Sequence, residues 1–250
     1  MTGITGHTYR FPLVGRGVAT VNRARSSDLQ PMNLTDTTAI ATMQTVIAPE
    51  YIDSMDEVQT NLDIRTAYTE SCVGAVSRQL DSIIIAAAQA GATDFTSSLT
   101  TANTLDGNGL TDMGQVLSQQ FVPHGDRFAV ISPGAMKTIL QDSRVVNDLY
   151  VNKGAVERGY AEGVLGFSLI ESLLLPNVLT GTAPNQTYNT GATGQNMFWH
   201  KTALGCAMAM DLELEVAWIS QKDSWLVKAK LVAGAVTIDP LGVISAQINN

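Results

Sequence analysis

The sequence predicts an α+β fold: an extended hairpin at the N-terminus, one long helix, and a second half rich in strands. Apolar and polar residues alternate with a period of two through residues 6–47, which is typical of strands. Apolar residues then recur at helical spacing through residues 59–89. Short apolar runs separated by turn residues follow as far as residue 238. The order of these elements separates the hairpin and the helix from a mixed second half.

The hairpin is predicted to consist of two strands joined by the turn-rich residues 22–33. Arg10 and Pro12 alternate with apolar residues in the first strand, and Ala48 and Pro49 are expected to end the hairpin. The apolar positions of the two strands are Tyr9, Phe11, Leu13, Ala39, Ala41 and Met43. A long hairpin with little apolar surface of its own is not stable alone. Its second face is therefore expected to pack against another element or another subunit.

The long helix is preceded by an acidic passage that suits the positive end of a helix dipole. One face of the predicted helix carries Cys72, Val76, Leu80, Ile83, Ile84 and Ala87. Gly91 is expected to end the helix, because glycine is favoured just beyond a helix C-terminus. About thirty residues, rising 1.5 Å each, would form a rod about 45 Å long.

The second half is predicted to mix short helices and strands. Residues 92–109 indicate a loop, and residues 111–120 a short helix capped by threonine. Residues 127–131 indicate a strand that runs into a helix with Ser132 as its N-cap and Pro133 in its first turn. The remaining expected elements are a strand at 164–172, a loop at 176–196, a strand at 197–200, a short helix or turn at 202–209, and two strands within 212–238 that fold at 221–224. In the second of these two strands Val227, Ala229 and Leu231 point one way and the lysines between them the other.

Bulk properties exclude several classes of protein. The net charge of −8 and the pI near 4.8 argue against a free-standing nucleic-acid binder, because phosphate contacts need clustered Lys and Arg. No apolar run reaches the length of about 18 residues that a membrane span needs, and no signal peptide is evident. The chain is expected to remain in the cytoplasm in which it is made. Cys72 and Cys206 are too few for a disulfide framework and are expected to be buried apolar residues.

A search for catalytic chemistry finds little. His7, His124 and His200 are far apart and lack a second ligand at metal-binding spacing, so neither a metal nor another cofactor is predicted. Glu213 and Glu215 share one face of a predicted strand and could serve as paired catalytic carboxylates. A polar strand face that pairs with Lys or Arg is the alternative that we favour.

Charge is unevenly distributed along the chain. Residues 1–35 contain four arginines and one acidic residue, whereas residues 50–63 contain five acidic residues and no basic one. Arginine pairs well with carboxylates. We therefore expect the hairpin of one subunit to lie over the acidic passage of a neighbour; the alternative is that both are solvated surfaces. The predicted contact residues are Arg10, Arg16, Arg23, Arg25, Glu50, Asp53, Asp56 and Glu57.

The chain contains, in this order, RFAVISPGAM at residues 127–136, LGFSLIES at residues 165–172 with Leu175 and Pro176 after it, and the segments 197–205 and 211–215. These stretches and their order resemble the major capsid proteins of tailed bacteriophages, which have the Hong Kong 97-type fold. Residues 127–136 (RFAVISPGAM) resemble the strand-to-helix passage of that family. Residues 165–172 (LGFSLIES) are followed by Leu175 and Pro176. They resemble a segment of that family in which Gly-Phe is followed by a serine and then by Leu-Pro. Residues 197–205 and 211–215 are similar to the corresponding region of short-tailed phage coat proteins.

The resemblance implies an N-terminal arm and E-loop hairpin at residues 1–48, and a peripheral domain with a spine helix at 49–109. It further implies an axial domain at 110–209, and peripheral-domain strands with the C-terminus at 210–250. The implied function is self-assembly into hexamers and pentamers of an icosahedral shell around double-stranded DNA. The implied partners are a separate scaffolding protein, a portal, a decoration protein and weakly held DNA. The implied location is the virion, assembled in the host cytoplasm.

One departure from the family and two alternatives complete the predictions. Some relatives join subunits through an E-loop lysine, but the first lysine here is Lys137, so this hairpin cannot form such a bond. An encapsulin-like compartment shell would share the fold and would enclose proteins in place of DNA. An α/β enzyme using Glu213 and Glu215 would need strands that alternate with helices, which the second half lacks.

Overall fold

The computed structural model describes residues 6–17, 19, 25, 28, 31–59, 63–101, 103–142, 145, 163–180, 186–189 and 192–249. The strands are β1 (Thr8–Val14), β2 (Asp36–Thr42), β3 (Gln44–Asp53), β4 (Thr93–Asp94), β5 (Arg127–Ile131), β6 (Gly163–Val164), β7 (Phe167–Glu171), β8 (Leu179–Thr180), β9 (Thr187–Tyr188), β10 (Thr193–His200), β11 (Leu204–Ile219), β12 (Ser224–Thr237) and β13 (Val243–Asn249). The α-helices are α1 (Ser54–Gln59), α2 (Ile64–Gly91), α3 (Gly107–Gln119) and α4 (Pro133–Gln141).

The long helix α2 packs on a three-stranded antiparallel sheet of order β11-β12-β3. Cys72 and Val76 are buried against the apolar face of β12, as the predicted helical face requires. The C-terminal half of α2 also contacts a second set of residues, because Ile85 packs with Val130 and Met197, and Ala88 packs near Val243. Ile85 and Ala88 lie outside the predicted face. The helix is buried on two sides here, and a single-face pattern does not describe it.

The start of α2 differs from the prediction. A separate short helix, α1, precedes it, and α2 begins at Ile64 instead of near Gln59. The Asp63 carboxylate accepts hydrogen bonds from the backbone N–H and the hydroxyl of Thr66, which is the geometry of an N-cap. Twenty-eight residues give α2 a length of about 42 Å.

The predicted end of the hairpin at Ala48 and Pro49 is wrong. β1 and β2 do pair as an antiparallel hairpin, but the chain then continues through Met43 into β3, which pairs along its length with β12. Pro49 is tolerated because β3 is an edge strand of its sheet and a proline can direct its nitrogen outward there. Glu50 and Asp53 therefore lie on a strand and not on a lead into the long helix.

The hairpin packs on its own subunit at the base. A Cβ atom at Gly205 would lie 2.9 Å from Cζ of Phe11 and from Cδ1 of Ile238. Similarly, a Cβ atom at Gly234 would lie 2.3 Å from the carbonyl oxygen of Thr42. Two glycines thus permit the close approach of β1 and β2 to β11 and β12.

A second body of the protein is built on a six-stranded mixed sheet of order β4-β13-β10-β5-β7-β6. The predicted strand β5 and the helix α4 are confirmed, with the Ser132 hydroxyl accepting from the N–H of Ala135 and Pro133 in the first turn. Phe167 and Phe198 are buried in the main core, with their ring centroids 5.7 Å apart. β13 lies between β10 and β4, so the last strand of the chain joins this sheet and not the sheet under α2.

Several predicted elements of the second half need correction. The helix predicted at 111–120 begins at Gly107, because Asp106 and not a threonine caps it. The strand predicted at 164–172 is interrupted by a turn at Leu165 and Gly166, both with positive φ. The loop predicted at 176–196 contains β8, β9 and the start of β10, so the predicted strand at 197–200 begins earlier, at Thr193. The residues predicted as a short helix or turn at 202–209 form a turn only as far as Ala203, and from Leu204 onwards they belong to β11, which pairs with β12.

Candidate assembly surfaces

The predicted arginines of the N-terminal region do not form one cluster. Arg10 is exposed on β1, on the face opposite to Phe11, and Arg25 is exposed as well. Arg23 lies outside the described residues. Arg16 is bound within the chain, because its Nη2 lies 3.0 Å from Oδ2 of Asp239 and its Nη1 donates to the carbonyl oxygen of Gln120. Arg16 therefore joins the hairpin base to α3 and to the β12–β13 connection.

Three of the four predicted acidic residues have exposed side chains near the end of the three-stranded sheet. Glu50 and Asp53 lie on β3, and Asp56 follows on α1. The Asp53 carboxylate also accepts a 2.9 Å hydrogen bond from the N–H of Met55 at the start of α1. Glu50 and Asp53 are three residues apart on β3 and so lie on opposite faces of the strand, Glu50 on the side of α2 and Asp53 on the other side. The three carboxylates therefore do not form one surface, and the predicted contact with a neighbour's hairpin stays a prediction.

Glu57, the fourth acidic residue, is balanced within the chain. Its two carboxylate oxygens lie 2.7 Å from Nε and 2.8 Å from Nη2 of Arg65. The Arg65 guanidinium also stacks over Trp225, 4.3 Å from the ring centroid. Only the Nη2 contact is a hydrogen bond. This ion pair ties α1 to the start of α2 and to the sheet, so Glu57 has little charge left for a neighbour.

Glu213 and Glu215 share a face of β11, as predicted, and stand opposite lysines of β12. Nζ of Lys230 lies 3.2 Å from Glu213, and Nζ of Lys228 lies 2.9 Å from Glu215. The hydrogen bond from Lys228 lowers the pKa of the Glu215 carboxyl, and the hydrogen bond to Glu213 raises the pKa of Lys230. A general acid needs the opposite shift, towards neutral pH. The geometry matches the favoured alternative, a polar strand face with ion pairs.

The described residues contain no group of three or more His, Cys, Asp or Glu side chains that could hold a metal ion. Nδ1 of His200 instead lies 2.8 Å from the Thr202 hydroxyl and accepts a hydrogen bond from the Thr202 backbone N–H. Cys72 is buried as predicted, and Cys206 is half-buried; desolvation raises the pKa of both thiols. Within the part of the chain that the structure covers, no helix is both long and apolar enough to span a bilayer.

Large exposed apolar side chains are the feature that the sequence patterns missed. Phe121 and Val58 are each 85% exposed and Met55 is 64% exposed. Phe121 stands at a positive φ of 58° just beyond α3, a conformation that costs a bulky residue energy. Met55 and Val58 lie three residues apart on α1 and so share one face of that helix. Adjacent exposed apolar side chains of this kind, unlike single ones, are typical of surfaces that bind partners. Only the position of Phe121 immediately after a predicted helix could have drawn attention to it.

The chain is similar to a known protein family and to several solved structures. A family profile described as phage capsid protein matches residues 1–249. The capsid of the cyanophage P-SCSP1u has a TM-score of 0.71 at 18% sequence identity, covering 98% of this chain and 84% of that chain. Mycobacterium phage Che8 gives 0.70 at 18% identity, covering 97% and 85%. A virus-like particle from Pyrococcus furiosus gives 0.60 at 10% identity, covering 98% and 88%.

No curated protein sequence matches the chain significantly. The fold is nevertheless the Hong Kong 97-type fold that the resemblance implied, because the solved phage capsids superpose over nearly the whole chain. The family profile also covers all but the last residue. This chain belongs to the phage capsid protein family.

Proposed function

We propose that this chain is a major capsid protein that assembles into hexamers and pentamers of an icosahedral shell around double-stranded phage DNA. The observation that carries the proposal is the family match over residues 1–249. The role is structural and not enzymatic, in agreement with the ion-paired state of Glu213 and Glu215. Exposed apolar side chains such as Val58 and Phe121 supply surface that assembly would bury.

The E-loop hairpin makes one of the contacts between neighbouring subunits in this proposal. Arg10, Arg23 and Arg25 of one subunit lie near the exposed carboxylates of Glu50, Asp53 and Asp56 of the next. Exposed ion pairs contribute about 0–1 kcal/mol each. Their role is therefore to set register and exclude wrong partners, while buried apolar area supplies most of the affinity.

Arg16 and Glu57 have a different role in the same contact. Both are ion-paired within the chain, to Asp239 and Arg65 respectively. Arg16 holds the hairpin base against the body, and Glu57 holds α1 beside the sheet. They orient the two surfaces that meet and do not themselves bridge the subunits.

The shell holds together without a lysine-derived bond from the E-loop, since the first lysine is Lys137. A separate scaffolding protein guides assembly in the host cytoplasm, a portal occupies one vertex of the virion shell, and a decoration protein binds outside. Contact with the packaged DNA is weak and sensitive to salt, because the chain carries a net charge of −8.

An encapsulin-like compartment is the second candidate. The similarity to the virus-like particle from Pyrococcus furiosus, with a TM-score of 0.60, favours keeping it. A shell of this kind would use the same subunit contacts and would enclose protein cargo.

Expression of the full chain, alone and together with the scaffolding protein of the same phage, tests the proposal. We expect closed particles of megadalton mass by electron microscopy and light scattering. Particles from infected cells that contain DNA support the phage capsid, whereas particles that contain an enzyme support the compartment. A monomer or small oligomer under all these conditions overturns both.

A further inference from the structure

The outer edge of β11 is unpaired among the described residues. β11 is 16 residues long and forms one edge of the sheet of order β11-β12-β3. Two other edges in this part of the protein contain a proline, Pro49 on β3 and Pro12 on β1, and proline blocks the addition of a strand. β11 contains no proline. Its outer edge is therefore open to backbone hydrogen bonds from another chain.

A regular segment of β11 is available for such pairing. The register between β11 and β12 shifts between Met208 and Glu213, which marks a β-bulge, and is regular from Glu213 to Ile219. This segment is roughly 20 Å long at about 3.3 Å per residue. In an antiparallel pair every second residue directs its N–H and C=O away from the partner strand, so the segment presents several unsatisfied backbone groups.

One face of this segment is an apolar shelf, formed by Leu214, Val216 and Trp218. Their cross-strand partners Ala229, Val227 and Trp225 lie on the side of the sheet that α2 covers. The shelf itself extends beyond the helix, and its three side chains are 42%, 46% and 43% exposed. The shelf is thus a continuation of the core surface that no described residue covers fully.

The opposite face of the same segment carries Glu213 and Glu215. The lysines that pair with them, Lys230 and Lys228, lie on the inner strand β12. The carboxylates therefore stand nearer the open edge and keep 54% and 43% of their side-chain surface exposed. An acidic strand would be repelled here, and a basic strand would be attracted.

We propose that residues 213–219 bind an extended segment of a partner protein in which basic and apolar residues alternate. The segment adds a fourth strand to the sheet, places its apolar side chains on the shelf, and places its basic side chains beside Glu213 and Glu215. β12 already presents this pattern on the inner side, with Lys228 and Lys230 between Val227, Ala229 and Leu231. The bound segment would therefore make the same kinds of contact with the outer edge of β11 that β12 makes with the inner edge, namely strand pairing and ion pairs with Glu213 and Glu215.

A separate protein fits this site better than a second copy of the chain. β1 has alternating Arg10 and aromatic residues, but its edge contains Pro12, and Phe11 already packs at Gly205. β2 contains no basic residue. Arg23 and Arg25 are two residues apart in the sequence, with Ala24 between them and Asn22 before them. These two neighbours are small or polar and would cover little of the apolar shelf.

The probe for this site is a fluorescein-labelled peptide with the sequence of residues 226–232, Leu-Val-Lys-Ala-Lys-Leu-Val. It is added to the full-length, unassembled chain, and binding is followed by fluorescence anisotropy. We expect saturable binding that weakens as salt is raised. Peptides with both lysines replaced by glutamate, or with a central proline, are expected to bind about tenfold or more weakly.

The shelf is tested with a double variant, Leu214→Lys with Val216→Lys. Its control is Ile170→Lys. Ile170 is a strand residue of similar exposure, 48%, on β7 of the other sheet. The double variant is expected to lower affinity about tenfold or more, and the control to leave affinity unchanged. Glu213→Gln with Glu215→Gln is expected to remove most of the salt dependence. Circular dichroism melts confirm that each variant folds.

Three results would overturn the proposal. Absence of saturable binding of the peptide to the wild-type chain excludes the site. If the peptide binds the double shelf variant as tightly as wild type, the shelf is excluded. If wild type binds the proline peptide equally well, the strand pairing is excluded. Loss of self-assembly of the double variant in the absence of any other protein assigns the shelf to a second copy. Failure of the wild-type chain to assemble would count against the capsid role and not against this site, because the peptide test uses unassembled subunits.

Discussion

The Arg127 guanidinium donates a 3.0 Å hydrogen bond to the carbonyl oxygen of Gly114 on α3. The same side chain donates to the carbonyl oxygens of Val122 and Pro123 and to the Ser118 hydroxyl. It is 4% exposed, and burial lowers the pKa of its guanidinium. Arg127 thus joins the end of α3 to the start of β5 and fixes the turn that exposes Phe121.

We predict that Arg127→Lys destabilises the fold by about 2–4 kcal/mol, because an ammonium group cannot reach four acceptors spread around a planar fork. Urea unfolding followed by circular dichroism measures the loss. The control is Arg78→Lys on the exposed surface of α2, which is expected to change stability by less than about 0.5 kcal/mol. Equal stability of wild type and Arg127→Lys would show that the four hydrogen bonds contribute nothing.

The Glu215–Lys228 pair is predicted to make stability depend on pH. Lys228 lowers the pKa of Glu215 below its ordinary value of 4.5. A carboxyl with a lowered pKa in the folded state contributes stability above the unfolded pKa and loses it as pH falls through the folded pKa. The difference in urea midpoint between wild type and Glu215→Gln should therefore shrink from about pH 7 to about pH 3. The prediction is contradicted if the difference in urea midpoint stays constant over this pH range. It is also contradicted if the exposed control Glu70→Gln shows the same change with pH.

The ion pair between Lys230 and Glu213 is predicted to lose its contribution to stability at high pH. The hydrogen bond to Glu213 raises the pKa of Lys230 above 10.5. The contribution is complete below that value and is lost as pH rises through the raised pKa. Glu213→Gln should therefore differ least from wild type at the most alkaline pH at which the protein stays folded, as measured by thermal melts. A growing difference at high pH would refute the pairing.

Gly205 is predicted to control how the hairpin base packs. Gly205→Ala places a Cβ atom 2.9 Å from Phe11 and Ile238, so we expect a loss of about 1–3 kcal/mol and faster proteolysis of the hairpin. Gly163→Ala is the control, because nothing lies within 4 Å of a Cβ atom there. Combination with Phe11→Ala should recover part of the loss. Independent, additive effects of the two substitutions would argue against the contact.

Charge reversal tests the proposed contact between subunits. Arg23→Glu with Arg25→Glu should lower the yield of closed particles and leave the thermal stability of the unassembled subunit unchanged. A second set, Glu50→Lys with Asp53→Lys, should restore assembly when combined with the first. Particle yield is measured by sedimentation and electron microscopy. Assembly that is indifferent to the reversal would mean that both are solvated surfaces.

Local patterns were sufficient to predict several elements. The Ser132 cap with Pro133 after it, the buried face of α2 at Cys72 and Val76, and the two sides of β12 are all confirmed. Each depends on neighbours within one or two turns of helix or along a single strand, where spacing alone decides which side is apolar. The pairing of Glu213 and Glu215 with basic residues followed from the same alternation.

Contacts between distant residues decided the rest. Residues 204–209 form a strand because β12 supplies their partners, and Pro49 is accepted in β3 because no strand pairs with its other side among the described residues. Ile85 is buried because a second sheet meets α2 from another direction. The sequence by itself determined the long helix with one of its buried sides, the β5–α4 passage, the two sides of β12 and the family resemblance. Only the tertiary structure decided which faces remain open for partners, because exposure depends on what the rest of the chain leaves uncovered.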